Sequence, residues 1–319
     1  MSKRNNQPAV GISLAGEKPE GFSAPIVYDA EGENDAAQIM GDFSIQAFED
    51  AGQENGTRFW YAHVFMGVLG YETWTSFQSV ITKAMGSCAK LGLDPTDAFI
   101  QATYTDETGK ECKTYKLTRF ACLLVTVHGD SKKPEVAQAK AALAAIADRL
   151  IGEKIHDQDL GRIETREDLK LAEKLMSGVA QSAGLQAQDF GLFKDAGFRG
   201  MYNMGLRQLV SYKGLDASKT LYDFMGLEEL AGNLFRATQT AARIKSQGTR
   251  GRDPLLHTAK TVGAEVRQMM VRNSGVNPEA LPISDDIGLV RRRMKSADRE
   301  MKKLDGPKKA PKKRISPPK

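Results

Sequence analysis

The chain has 319 residues, of which 41% are hydrophobic and 27% charged, the balance of a globular protein with one large or two ordinary domains. No apolar run approaches the roughly 18 residues of a membrane span, and Met1–Pro8 lacks the apolar core of a signal peptide. Cys88, Cys112 and Cys122 show no CxxC spacing and the four histidines are scattered. That argues against a disulfide framework, a zinc site or any other metal or cofactor, and makes the cytoplasm the expected compartment.

The net charge of +5 conceals an asymmetry. Residues 291–319 hold 13 Lys and Arg against 3 Asp and Glu, a net of +10. Residues 1–50 hold 3 against 9, a net of −6, and the span between them is close to neutral. Basicity is therefore concentrated at one end of the chain.

Residues 1–41 have no sustained periodicity and read as a flexible acidic arm. Phe43 to Phe48 alternates like a strand, turn residues 51–56 follow, and Thr57–Ala62 returns as a second strand. Val64, Phe65, Val68 and Leu69 then make one apolar helical face that Gly70 stops. After the turn Tyr71–Trp74, a helix is expected from about Thr75 to Gly92, with Phe77, Val80, Ile81, Met85 and Cys88 inward. Two short helices about a Gly turn suit either a helix-turn-helix or a plain core hairpin. A second β-hairpin is expected over Ala98–Leu117, turning at Asp106–Lys110. Thr118 then caps a helix ending at His128-Gly129, where His128 reads as a cap or solvent residue, and Pro134 opens another that runs to Leu150.

Polar residues 153–166 read as a domain boundary, and the rest is almost wholly helical. Helices are expected over Leu169–Ala183, Phe190–Asp195, Leu206–Lys213, Thr220–Met225 and Leu227–Ser246, with one more from Pro254. In that last helix Leu255, Ala259, Val262, Val266 and Met269 recur at steps of 4 and 3. This seam suits pairing in a homodimer or one stripe of a globular bundle. Residues 283–319 read as a disordered basic tail whose cations, Arg291, Arg292 and Arg293 first among them, suit nonspecific contact with nucleic acid.

The chain contains no GxxxxGK[ST], GxSxG or HExxH motif and no paired-carboxylate motif, so a non-enzymatic protein is expected. Asp285-Asp286 is too small a cluster to hold a metal unaided. Lys113, Lys116, Lys132 and Lys133 lie near the second hairpin, where they suit a phosphate backbone or simply a solvated surface.

Two segments, Trp60-Tyr-Ala to Leu69-Gly-Tyr and Tyr115-Lys-Leu-Thr-Arg-Phe-Ala-Cys-Leu-Leu-Val125, resemble the BRO-family N-terminal domain. Downstream, Asp189–Tyr202, Met225–Thr240, Val266-Arg-Gln and Pro278–Pro282 resemble the bacterial DNA-damage-inducible protein D family, so the likeness covers about residues 57–282. It implies an α+β fold: an N-terminal module of hairpins and short helices over 42–153, then a helical domain over 167–282. It implies DNA binding, to single or double strands, within the SOS response and at the nucleoid. It further implies action on RecA-type recombinase filaments; the alternatives are a regulatory factor whose helical domain binds a protein partner and, third, a nuclease, which the missing acid cluster disfavours. Carried across by residue, Tyr71, Trp74, Thr75, Ser76 and Gln78 fall in the helix pair, where Lys83 is a further candidate DNA contact, and Arg119 holds the family's arginine. Arg119 then serves either a phosphate or a carboxylate inside the domain. On the hallmark helix, Asn233, Arg236, Thr238 and Gln239 suit an interface or a buried network.

Overall fold

The computed structural model describes residues 45–307. The acidic arm and the last twelve residues lie outside that range, as does Phe43. The expected strand around Phe43 is not formed by its described part, because Ile45–Asp50 is a helix (α1). Its one buried side chain, Phe48, stacks on Trp60 with ring centroids 4.4 Å apart, and the Phe48 carbonyl accepts a 2.6 Å hydrogen bond from Trp60 Nε1. A helical turn presents both the ring and the carbonyl to the indole.

A four-stranded antiparallel sheet follows, in the order β1-β2-β4-β3. Its strands are β1 (Gln53–Asn55), β2 (Thr57–Tyr61), β3 (Phe99–Thr105) and β4 (Glu111–Leu117). Trp60, Leu117 and Phe99 face one another across the strands on the inner side, and Tyr61, Lys116 and Ile100 do so on the outer. The helices of this part are α2 (Ala62–Val68), α3 (Trp74–Lys90), α4 (Pro95–Ala98), α5 (Arg119–His128) and α6 (Pro134–Ile151). Thr118 caps α5 through the Ala121 amide, and Asp94 caps α4 through that of Thr96. Trp60, Phe65, Phe77, Ile81, Phe120 and Leu143 are buried in one core.

The expected boundary at 153–166 falls instead largely within α7 (Asp159–Ser182). Leu160 and Ile163 of this helix belong to the first core, while Leu169, Ala172 and Met176 belong to a second. Around the second core stand α8 (Phe190–Tyr202), α9 (Leu206–Tyr212), α10 (Leu227–Gln247) and α11 (Arg252–Ser274). Short 3-10 turns at Ala187–Asp189, Leu221–Phe224 and Pro278–Ala280 link them. The helix from Phe190 continues through Gly197 to Tyr202, because this glycine admits a close neighbour and does not end the helix. A Cβ at Gly200 would sit 2.0 Å from the Lys260 carbonyl oxygen, and one at Gly263 would sit 2.4 Å from that of Gly197. The backbones of α8 and α11 touch there.

The basic tail is also partly folded. Ile287–Asp305 is a helix (α12), capped at its start by Asp286, whose side chain accepts from the Gly288 amide. Ile287, Val290, Met294, Ala297 and Met301 recur at steps of 3 and 4 and are all buried in the first core, against α5 and α6. Charge count alone misses this stripe, because the cations occupy the other faces.

Candidate nucleic-acid interface

Helix α3 contains no acidic residue. Thr75, Ser76, Gln78, Ser79, Thr82 and Lys83 are all exposed along its outer side, while Phe77, Val80, Ile81 and Ala84 fix the opposite side in the core. Thr73 precedes the helix without capping it by its side chain. Its hydroxyl instead lies 2.8 Å from that of Ser76. The first amides of α3 therefore have no side-chain acceptor, an arrangement suited to an anion.

Between the start of α3 and the inner side of the β3–β4 hairpin lies a cleft of about 580 Å³, lined by Trp74, Gln78, Gln101, Thr103, Lys113 and Tyr115. It unites three residues singled out from sequence: Trp74, Gln78 and Lys113. An indole, two amides and an ammonium on one concave surface can stack, donate and accept hydrogen bonds, and neutralise a phosphate.

The other expected contact residues are placed differently. Tyr71 is buried, its hydroxyl accepting from the Asp130 amide at 2.8 Å. Lys133 donates to the Gly70 carbonyl at 2.8 Å and lies over the Tyr71 ring, while Lys132 is exposed. Tyr71 and Lys133 thus clasp the α2–α3 turn to the α5–α6 loop. Lys116 projects from the outer side of the sheet, 4.7 Å above the Phe59 ring.

Arg119 is only 1% exposed. It donates to Glu49 and to both oxygens of Asp305, and its guanidinium lies 4.8 Å over the Trp60 ring. Burial works against its charge, but the hydrogen bonds to the two carboxylates outweigh it and raise its pKa above the ordinary arginine value. Of the two roles left open for it, the interior carboxylate tie is the one its surroundings satisfy; as folded, no phosphate reaches it. Arg291 pairs with Glu167 and Arg293 with Glu153 and Asp285, whereas Arg292 is exposed. Arg291 and Arg293 therefore dock α12 onto its surroundings and do not belong to a loose cationic arm.

The hallmark residues of α10 divide in the same way. Asn233 and Arg236 are interior: Asn233 donates to the Tyr202 hydroxyl at 2.6 Å, and Arg236 to Asn233 and to the Tyr222 hydroxyl at 3.2 Å each. Tyr222 donates in turn to Glu173 at 2.5 Å. Thr238 and Gln239 are exposed, and the Thr238 hydroxyl turns back onto the Phe235 carbonyl.

One cluster has no forerunner in the sequence pattern. Ser87 Oγ lies 2.6 Å from His128 Nε2 and donates to Glu164, while His128 Nε2 is 3.3 Å from the same Glu164 oxygen. This ties α3, α5 and α7 together. Ser87 is buried, and both the hydroxyl and the carboxylate meet one ring nitrogen, so the carboxylate does not orient the imidazole from its far side as a nucleophile-activating triad requires. Among the described residues no group of three or more His, Cys, Asp or Glu is placed to hold a metal ion, and no helix is long and apolar enough to cross a membrane.

Residues 156–290 match the model of the DinD C-terminal domain. The match opens just before α7 and closes in the first turn of α12. The DNA damage-inducible protein D of Escherichia coli (strain K12) is 34% identical over 240 residues, covering 72% of this chain and 87% of the relative. The chain belongs to the DinD family. The matched residues thus hold the second core, with the Asn233–Arg236–Tyr222 network inside it, while Leu160, Ile163, Ile287 and Val290 at their two ends belong to the first core, and the cleft lies in the part N-terminal to them.

Proposed function

We propose that this DinD-family protein binds DNA through the α3–hairpin cleft and takes part in the response to DNA damage by binding, not by catalysis. The observation that carries the reading is the convergence of Trp74, Gln78 and Lys113 on one cleft beside an acid-free helix. Exposed hydroxyls at Thr75 and Ser76 and the ammonium of Lys83 extend the same surface along α3. The N-terminal segments' resemblance to a BRO-family domain and the name of the Escherichia coli relative support this reading, in which the protein acts within the SOS response at the nucleoid. A salt titration of duplex binding tests it: Lys113→Glu together with Lys83→Glu weakens binding and flattens the salt slope by about 0.9 for each phosphate no longer neutralised. Unchanged affinity and slope would exclude the cleft.

A second reading rests on α7. Leu171 and Leu175 are exposed beside a groove of about 760 Å³ between α7 and the end of α10, flanked by Lys174, Lys245 and Arg250. Such an apolar floor with a basic rim suits a protein partner with an acidic, apolar surface, and a RecA-type recombinase filament is the partner the family resemblance names. Leu171→Asp abolishes co-sedimentation with recombinase filaments if the groove is that contact.

A further inference from the structure

The outer side of the sheet, opposite the core and apart from the cleft, carries a connected row of rings. Phe59 meets Tyr61 edge-on with centroids 5.2 Å apart, Tyr61 lies 5.3 Å from His63, and His63 stacks on Tyr104 at 3.7 Å, nearly parallel. All four rings are partly exposed. Strand register explains their assembly. Phe59 and Tyr61 are two apart on β2, Tyr61 faces Lys116 on β4, and Tyr104 lies on the same side at the far end of β3. His63, from the first turn of α2, bridges them and is held by Thr114, 3.1 Å from its Nδ1. Burial lowers the His63 pKa, so its stack with Tyr104 is neutral at pH 7.

Within the four strands the charge on this side is one-signed, Lys116 alone, while the Asp106 carboxylate lies beside Cys112 at the Tyr104 end of the row. Lys116 hangs over Phe59 and lies 5.9 Å from the Tyr61 ring centroid. The only acids within the four strands, Glu54 and Glu111, pair with Arg58 and Thr105 on the opposite side. Asp106, in the β3–β4 turn, is engaged by the amides of Thr108 and Lys110. Gln53 pairs with Phe59 across β1 and β2, adding an amide beside the row. Rings on a sheet with a cation among them offer stacking to unpaired bases and neutralisation to the backbone joining them. A duplex cannot use such a row, because its bases already stack on one another.

We propose that the outer sheet surface formed by Phe59, Tyr61, His63, Tyr104 and Lys116 is a stacking platform for the bases of single-stranded DNA. This deepens the DNA-binding reading and rests on it, but it uses a different surface from the cleft. The test uses the full chain, a fluorescently labelled oligothymidylate, a labelled duplex and an oligouridylate competitor. Tyr61→Leu with Phe59→Leu lowers oligothymidylate affinity about tenfold or more and leaves duplex affinity within about twofold. Tyr61→Trp, which keeps a ring, retains oligothymidylate binding. Photocrosslinking of 5-iododeoxyuridine in the strand maps to Tyr61 or Tyr104. Oligothymidylate binding that is insensitive to loss of both rings, with crosslinks elsewhere, overturns the platform. If duplex binding then still falls with Lys113→Glu, the cleft survives and only the platform is excluded. Preference for oligouridylate overturns the assignment to DNA, and failure of wild-type protein to bind either DNA overturns both readings.

Discussion

Arg119 and Asp305 stand 186 residues apart in the chain, yet Arg119 Nη2 lies 2.6 Å from the Asp305 carboxylate inside the N-terminal core. Glu49 of α1 completes the set from the other side. The arginine thereby fastens the first and last helices of the described chain onto the sheet, with Trp60 and Phe48 packed against its guanidinium.

Removing the guanidinium leaves Asp305, itself only 7% exposed, as an uncompensated buried charge. Breaking a buried pair from one side costs about 3–5 kcal/mol. Arg119→Ala is therefore expected to lower the unfolding free energy by that order, with a lower urea midpoint, and any loss of DNA binding in it reports unfolding. Arg119→Lys is expected to recover only part of the stability, since an ammonium cannot serve both carboxylates in the fork geometry. Equilibrium denaturation monitored through Trp60 and Trp74 fluorescence checks both.

Helix α12 is part of the fold, so where the chain is cut matters. Ending it at Gly306 is expected to leave cooperative unfolding intact. Ending it at Asp286 strips five buried apolar side chains from the first core. At about 1.5–3 kcal/mol for each large side chain buried, the loss is comparable with the whole stability of a domain. The shorter chain is expected to aggregate or to lose its cooperative transition, which calorimetry of the two truncations resolves.

Glu164 predicts the acid limb of stability. Burial pushes its pKa up, but the hydrogen bonds from His128 and Ser87 prevail and hold it below the ordinary value of 4.5. A carboxylate lowered in the folded state contributes stability above its unfolded pKa and loses it as pH falls through the folded one. Melting temperature should thus fall as pH drops below about 4.5. Glu164→Gln should be less stable at pH 7 and show a shallower acid-side decline, measured by thermal melts across pH 3–7.

The cysteines should differ sharply in reactivity. Burial, above all, pushes Cys88 up to about 11 and Cys122 well above the ordinary thiol value. Cys112 lies partly exposed on β4. Native protein treated with a thiol reagent at neutral pH is expected to modify Cys112 alone, with Cys88 and Cys122 following only in denaturant, as mass spectrometry of the digested protein would show.

Much of this architecture is written in local pattern. The β3–β4 hairpin follows from alternation around Asp106–Lys110, and α5 from the Thr118 cap. What local pattern hides is long-range. Gly197 reads as a helix stop, yet Arg236 of α10 lies against one side of it and the α11 backbone comes close. Arg119 reads as a surface cation until Glu49 and Asp305 are brought to it from opposite ends of the chain. The Phe59–Tyr61–His63–Tyr104 row is hidden for the same reason, since strand pairing alone brings Tyr104 to residues more than forty positions away. Trp74, Gln78 and Lys113 are legible because helix start, exposed helix face and hairpin are each local signals, and only their convergence needs the fold.

Binding through the cleft is tested most directly by a salt titration of duplex DNA with the full chain, compared with Lys83→Glu/Lys113→Glu and with Arg292→Glu as a single charge reversal outside the cleft. The cleft variant is expected to bind about tenfold or more weakly at low salt with a shallower slope, while melting with the wild-type protein and leaving the Arg292 variant close to wild type. Equal losses in the two variants, or none in the cleft variant, would contradict binding through the cleft.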